Sequence, residues 1–158
     1  MNSLKRMMDR VLCILCAALL GLMTVLALYQ VITRYVFHSP SSFSEELLTY
    51  LFAWMAMLAA TLVFGERDHM RLAFFADKVK GKKGTALAIA TELVILIFTV
   101  LVLIWGGISI TRLTMGQVTA SLGIPMGYVY SIMPISGVLT AVYGIINLMN
   151  LCREYRAQ

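Results

Sequence analysis

Hydrophobic residues in this chain fall into long uninterrupted runs, and the charged residues gather between them. The first run, Val11 to Thr33, is uncharged and follows a short basic start containing Lys5, Arg6 and Arg10. A secretory signal carries an apolar region of about 7–15 residues and ends at a small-residue cleavage site. This run has 23 residues and ends at Tyr29, Gln30 and Arg34, so it reads as a retained first membrane span. The second run, Leu47 to Gly65, is also uncharged. At 1.5 Å per residue it covers roughly 28 Å, close to the ~30 Å hydrocarbon thickness of a bilayer.

The polar residues at its two ends fit that reading. Ser42-Phe43-Ser44-Glu45 is a capping-box pattern, in which hydroxyl and carboxylate satisfy free backbone N–H groups at a helix start. Glu45 and Glu46 complement the positive end of the helix dipole. At the far end the run empties into Glu66-Arg67-Asp68-His69-Met70-Arg71, too polar to stay in hydrocarbon. The connection from Arg34 to Ser41, with Pro40 and aromatic residues, predicts a short loop at the membrane surface.

A third run from about Thr85 to Thr111 holds a single charge, Glu92, and Leu113 to Cys152 holds none. Forty residues are too many for one crossing. Gly116, Gly123 and Pro125 break the first part, which leaves a fourth span from about Met126 to Leu151, kinked by Pro134 in its first turns. The pattern predicts an all-α integral membrane bundle of four transmembrane helices in a single domain, with spans at about 11–33, 44–65, 85–111 and 126–151. Between the second and third spans, Leu72, Phe75, Ala76 and Val79 share one side of a helical wheel. An amphipathic interfacial helix and a solvated loop both fit the 66–84 segment, which closes on a turn at Gly81-Lys82-Lys83-Gly84.

Composition adds the chain's class. Hydrophobic residues are 60% of the 158 and charged residues only 13%, against about a quarter in soluble domains. The net charge of +5 lies beside apolar spans and forms no basic stripe, which argues against nucleic acid and makes the charge a topology signal. Eleven of the thirteen Lys and Arg residues lie at the two termini or between the second and third spans. The positive-inside rule then puts both termini and that loop in the cytoplasm. Cys13, Cys16 and Cys152 are too few and unevenly placed for a disulfide framework or a zinc site, and read as small apolar residues.

Candidate chemistry is sparse. Glu92 is the one ionisable residue well inside a span. It could serve as the exchange site of a self-sufficient proton-coupled exporter, or be a structural group near the basic side of the membrane. His38 and His69 lie outside the spans at opposite surfaces, which disfavours a haem-bearing anchor of a redox enzyme. No phosphate loop or Ser/His/Asp grouping is present, so neither an enzyme nor a cofactor is expected. Glu45 and Glu46 are adjacent and point in different directions, and a pair of helix-start charges accounts for much of their presence. The few hydroxyls in the spans can bond their own helices, so the chain reads as a scaffold whose surface meets the lipid bilayer and another membrane protein.

Read in order, Arg34-Tyr35-Val36-Phe37, Ser44-Glu45-Glu46-Leu47, Trp54 in mid-span, Gly65-Glu66-Arg67-Asp68-His69-Met70-Arg71, and Gly123-Ile124-Pro125-Met126 with Pro134 downstream form a set that covers nearly the whole chain. This set resembles the small membrane subunit, DctQ-like, of tripartite ATP-independent periplasmic (TRAP) transporters. The resemblance implies a bacterial inner-membrane system in which a periplasmic substrate-binding protein captures an organic acid and a large membrane subunit moves it with a sodium gradient. It implies that the small subunit pairs with the large one and supports it, without catalytic residues of its own. Arg34, Glu45, Glu46, Trp54, His69, Arg71, Pro125 and Pro134 become candidates for the partner interface or for folding, with Glu92 beside them. Gly127 departs from the pattern, because an aromatic residue is common after the Pro-Met pair.

The charge bias generates a direct test of topology. In a background without native cysteines, Ser41→Cys should label from the periplasm, and Lys82→Cys only after the membrane is permeabilised. The reverse pattern would overturn the orientation.

Overall fold

The computed structural model describes residues 2–66 and 82–157. Over these the apolar runs become helices: α1 (Asn2–Tyr35), α2 (Ser42–Glu66), α3 (Lys82–Phe98), a π-helical segment (Thr99–Gly106), α4 (Gly107–Thr114), α5 (Met126–Tyr130) and α6 (Ile132–Ala157). The chain runs from α3 through the π segment into α4 without a break, as one third span. Four helical stretches are long and apolar enough to cross a membrane: Lys5–Tyr35, Ser42–Gly65, Ala88–Thr114 and Met126–Arg153.

Local chemistry places the helix ends. Ser41, not Ser42, caps α2: its hydroxyl accepts the Ser44 N–H at 3.4 Å, while the Ser44 hydroxyl donates back to the Ser41 carbonyl at 2.8 Å. The capping box therefore starts one residue earlier than the sequence pattern suggests, and a serine stands where its glutamate would be. The link from α1 turns at His38, a non-glycine residue in the left-handed region at φ 50°. Histidine is one of the residue types enriched there. The third span starts at Lys82, so the helix already includes Lys82, Lys83 and Gly84, where a turn was expected. Glycine keeps its N–H and costs a helix only about 1 kcal/mol of backbone freedom relative to alanine, so Gly84 does not stop one. The predicted interfacial helix falls, apart from its ends, outside the described residues.

The proline expected to kink the fourth span instead follows a break. α5 stops at Tyr130, Ser131 is a turn, and Pro134 is the third residue of α6. There its missing N–H would have had no intrahelical acceptor, so the ring costs little.

The spans associate in a row, with α1 on α2, α2 on α6, and α6 on α3 and the π segment. α6 also reaches α1 through a hydrogen bond from Tyr143 to Asp9. In the most apolar stretch of the fourth span 44% of residues are buried, against 6% in the first. The core is accordingly built around α6, with Ile132 and Tyr143 packed among Leu12, Leu58 and Phe64.

Lipid is as apolar as leucine, so membrane helices associate through close backbone approach and polar contacts. Both occur along α6. A Cβ on Gly137 would sit 2.9 Å from the Leu103 Cβ and 3.1 Å from its carbonyl carbon, and one on Gly107 would sit 2.9 Å from the Pro134 nitrogen. The π segment thus lies against α6 with almost no side chain between. Gly127 has the same explanation: a Cβ there would meet the Met115 sulfur at 2.6 Å and the Thr111 carbonyl oxygen at 2.7 Å. Met115 and the end of α4 fill the space beside Gly127 and leave no room for a side chain there.

Gly137→Ala should therefore destabilise the purified chain by about 1–3 kcal/mol through overpacking. Gly21→Ala, with no atom within 4 Å of the added methyl, should leave stability unchanged or raise it by up to about 1 kcal/mol. Unfolding in mixed micelles measures both, and equal stabilities would contradict the packing.

Candidate functional site

The polar side chains of the bundle lie mainly along the seams between helices. At the end of the bundle where α1 meets α2, the Gln30 side-chain amide donates to Glu45 at 3.1 Å. Glu46, one residue on and rotated inward, does something different. Its carboxylate accepts three consecutive backbone N–H groups, from Ala120 at 3.1 Å, Ser121 at 2.7 Å and Leu122 at 3.1 Å. It also accepts the hydroxyl of Tyr50, one helical turn away, at 2.6 Å.

The loop is shaped for that contact. Met126 donates to the Gln117 carbonyl at 2.8 Å, and Thr119 to the Ile124 carbonyl at 2.9 Å, which closes a hairpin. Inside it the Gly123 N–H returns to the Thr119 carbonyl at 3.2 Å, with Gly123 at φ 65°, where a residue with a Cβ would be strained. This single helical turn leaves its first N–H groups pointing outward, as at any helix start, and Glu46 occupies the anion position. The buried Thr119 adds its hydroxyl as acceptor for the Ile124 N–H at 3.1 Å. Pro125, half-buried, leads the chain into α5.

Lower in the bundle the Trp54 indole donates to the Val129 carbonyl at 3.1 Å. That carbonyl lies beside the α5–α6 break, so the tryptophan braces the chain where the helix is interrupted. Deeper still the Thr140 hydroxyl donates to that of Thr61 at 3.3 Å, both buried. The fully buried Tyr143 donates to Asp9 at 2.5 Å. The Tyr143 ring lies on Gly65, where an added Cβ would come within 2.6 Å of it. The glycine that opens the Gly65-Glu66 motif thus makes room for the ring that reaches Asp9.

The sequence candidates divide clearly. Glu46, Trp54, Pro125 and Pro134 converge on the α2–loop–α6 seam. Arg34 is exposed in the last turn of α1, and Glu45 is exposed with its carboxylate on Gln30. His69 and Arg71 lie outside the described residues. Glu92 is half-buried on α3, with Oε1 buried and lacking a hydrogen-bond partner among the described residues. Leu96, one turn on, packs on Gly144, and the buried Asn147 is one turn beyond Gly144, so Glu92 and Asn147 stand at similar depth. Sequence reasoning missed Asp9, Tyr143, Tyr50 and the Thr119–Gly123 turn. Asp9 could have been found as the one acid among the cations preceding the first span, and Tyr50 from its i, i+4 spacing to Glu46. The loop could not, because its N–H groups are backbone atoms 74 to 76 residues from Glu46.

If Glu46 holds this loop, Glu46→Ala should free it. Leu122→Cys, at a half-buried position, should react several-fold faster with a membrane-impermeant maleimide in the Glu46→Ala background than in the parent, with Tyr50→Phe intermediate. Unchanged labelling rates would show that the loop holds itself.

Comparison with known proteins agrees with this architecture. Residues 23–154 match the family model of tripartite ATP-independent periplasmic transporters, DctQ component. The chain is 31% identical over 150 residues to a protein of Haemophilus influenzae described as a TRAP transporter small permease protein, covering 95% of this chain and 92% of that one. It is 27% identical over 139 residues to the sialic acid TRAP transporter small permease protein SiaQ of Vibrio cholerae, covering 88% of this chain and 78% of that one. With four membrane-spanning helices and a match over most of its length, the chain belongs to the DctQ family, the small permease subunits of TRAP transporters.

Proposed function

We propose that this subunit is a non-catalytic partner that stabilises the large transport subunit of a sodium-coupled importer of organic acids, with both termini in the cytoplasm. The observation that carries the reading is where the polar atoms go. Glu46, Trp54, Thr61, Thr140 and the Asp9–Tyr143 pair are engaged within the bundle. A transport path needs polar groups that face a cavity and exchange partners. The outward faces of α1 and of the third span are apolar instead, with Val25, Leu28, Trp105 and Leu113 all exposed. Such faces suit lipid and a large membrane subunit equally well, and a heterodimer covers part of them. The sialic acid relative supports an organic acid as the cargo, delivered by a periplasmic binding protein.

Glu92 separates this reading from the exporter alternative. A proton-coupled carrier cannot work without a group that gains and loses its proton, whereas a structural carboxyl tolerates an amide of the same shape. The purified chain alone in liposomes should show no sodium- or proton-driven uptake. The Glu92→Gln form should support substantial uptake once the large subunit and binding protein are supplied. Transport by this chain alone, lost on Glu92→Gln, would instead establish an exporter.

A further inference from the structure

On the side of the bundle away from the third span, the first part of α1 does not close fully onto α2 and α6. Between them runs a groove of about 510 Å³ lined by residues that include Met7, Met8, Leu15 and Leu19 of α1, Trp54 of α2 and Ile135 of α6. Its lining is apolar apart from the Trp54 indole N–H, which is already donated to Val129. A polar solute would find no partner in it. From Met7 to Leu19 the groove follows α1 for about 18 Å, a little more than the ~15 Å depth of one bilayer leaflet. Its shape and depth suit one hydrocarbon chain.

What lies at its mouth selects the molecule that carries the chain. Lys5 stands three positions before Met8 and Arg10 three positions after Met7, so each is a helix neighbour of one of the residues that open the groove. Lys5 is half-buried and Arg10 exposed. The one acid on the same turns, Asp9, has its carboxylate bonded to the Tyr143 hydroxyl. Neither Lys5 nor Arg10 forms an ion pair among the described residues. An apolar helix could fill the groove but would leave Lys5 and Arg10 without a counterpart. A phospholipid with a net negative headgroup supplies both parts at once, phosphate at the basic turn and acyl chain in the slot.

We infer that the α1–α2–α6 groove is a binding site for an anionic phospholipid of the leaflet on the N-terminal side, with Lys5 and Arg10 holding the headgroup and Trp54 lying against the acyl chain. The lipid completes the packing of α1, the least buried of the four spans. Basic side chains next to a membrane surface each contribute enough attraction for anionic lipid to raise its occupancy about fivefold.

Trp54 is itself the probe. The chain has two tryptophans, and the other, Trp105, is exposed on the π segment, so Trp105→Phe leaves a single emitter in the groove. The full-length Trp105→Phe chain is placed in phosphatidylcholine nanodiscs doped with either phosphatidylglycerol or phosphatidylcholine brominated on the acyl chain. Half-maximal quenching should need about 25-fold less brominated phosphatidylglycerol than brominated phosphatidylcholine, the product of the two cations' contributions. Lys5→Gln and Arg10→Gln should each reduce that preference about fivefold. Equal quenching by the two lipids would overturn the site and leave ordinary bilayer contact. A second measurement uses the assembled transporter extracted from its membrane. Native mass spectrometry should find bound phosphatidylglycerol that the Lys5→Gln/Arg10→Gln double variant loses. Its absence from the wild-type complex would show that a protein helix covers the groove and would equally overturn the inference.

Discussion

The hydrogen bond from Tyr143 to Asp9 shows the constraint on which the whole bundle depends. In hydrocarbon, helices gain nothing by hiding leucine from lipid, so they are held where backbones come close and where buried polar atoms find one another. In this chain those places fall on α6. Its Gly137 admits the π segment and its Gly144 the Leu96 side chain of α3, Gly65 of α2 makes room for the Tyr143 ring, Thr140 reaches Thr61, and Tyr143 crosses to α1. The other three spans contribute mostly apolar surface. A polar group that reaches the protein interior without a partner carries a desolvation cost, so each of these contacts specifies the arrangement as well as strengthening it.

The same constraint explains the far end of the bundle. A break between α5 and α6 would leave carbonyls unsatisfied at membrane depth, where non-helical backbone is tolerated only when it is covered by protein. Trp54 covers one, and Glu46 collects the N–H groups of the loop that precedes the break. Glu46 and Trp54 sit two turns apart on α2, so a single helix face supports the whole irregular region between the third and fourth spans. Both side chains thus brace backbone that has left helical geometry.

Much of this was legible in the sequence. The four spans followed from charge-free runs of the right length, and the breaks at Gly123 and Pro125 from the backbone preferences of those residues. The role of Glu46 was not legible. Its partners are main-chain N–H groups, which any residue but proline carries, and they come from a loop far along the chain. Asp9 went unnoticed in a basic stretch that reads as topology signal, and only the neighbouring α6 shows what it meets. The start of the α2 cap was misjudged by one residue because three serines in four positions each make an acceptable cap. Gly127 departs from the pattern the sequence resembles, and the approach of Thr111 and Met115 shows that the space beside it is occupied.

The division of labour proposed above rests on this placement, since most polar side chains of the bundle are engaged between its own helices and its outer faces are apolar. The central claim is that α6 lies between α2 and the third span and holds them apart. Disulfide cross-linking in native membranes, in the assembled transporter and without Cys13, Cys16 and Cys152, tests it most directly. The account predicts that cysteines at Thr61 and Thr140 join rapidly, while cysteines at Thr61 and at Val100, exposed on the π segment, do not. Rapid joining of positions 61 and 100 with none between 61 and 140 would contradict it.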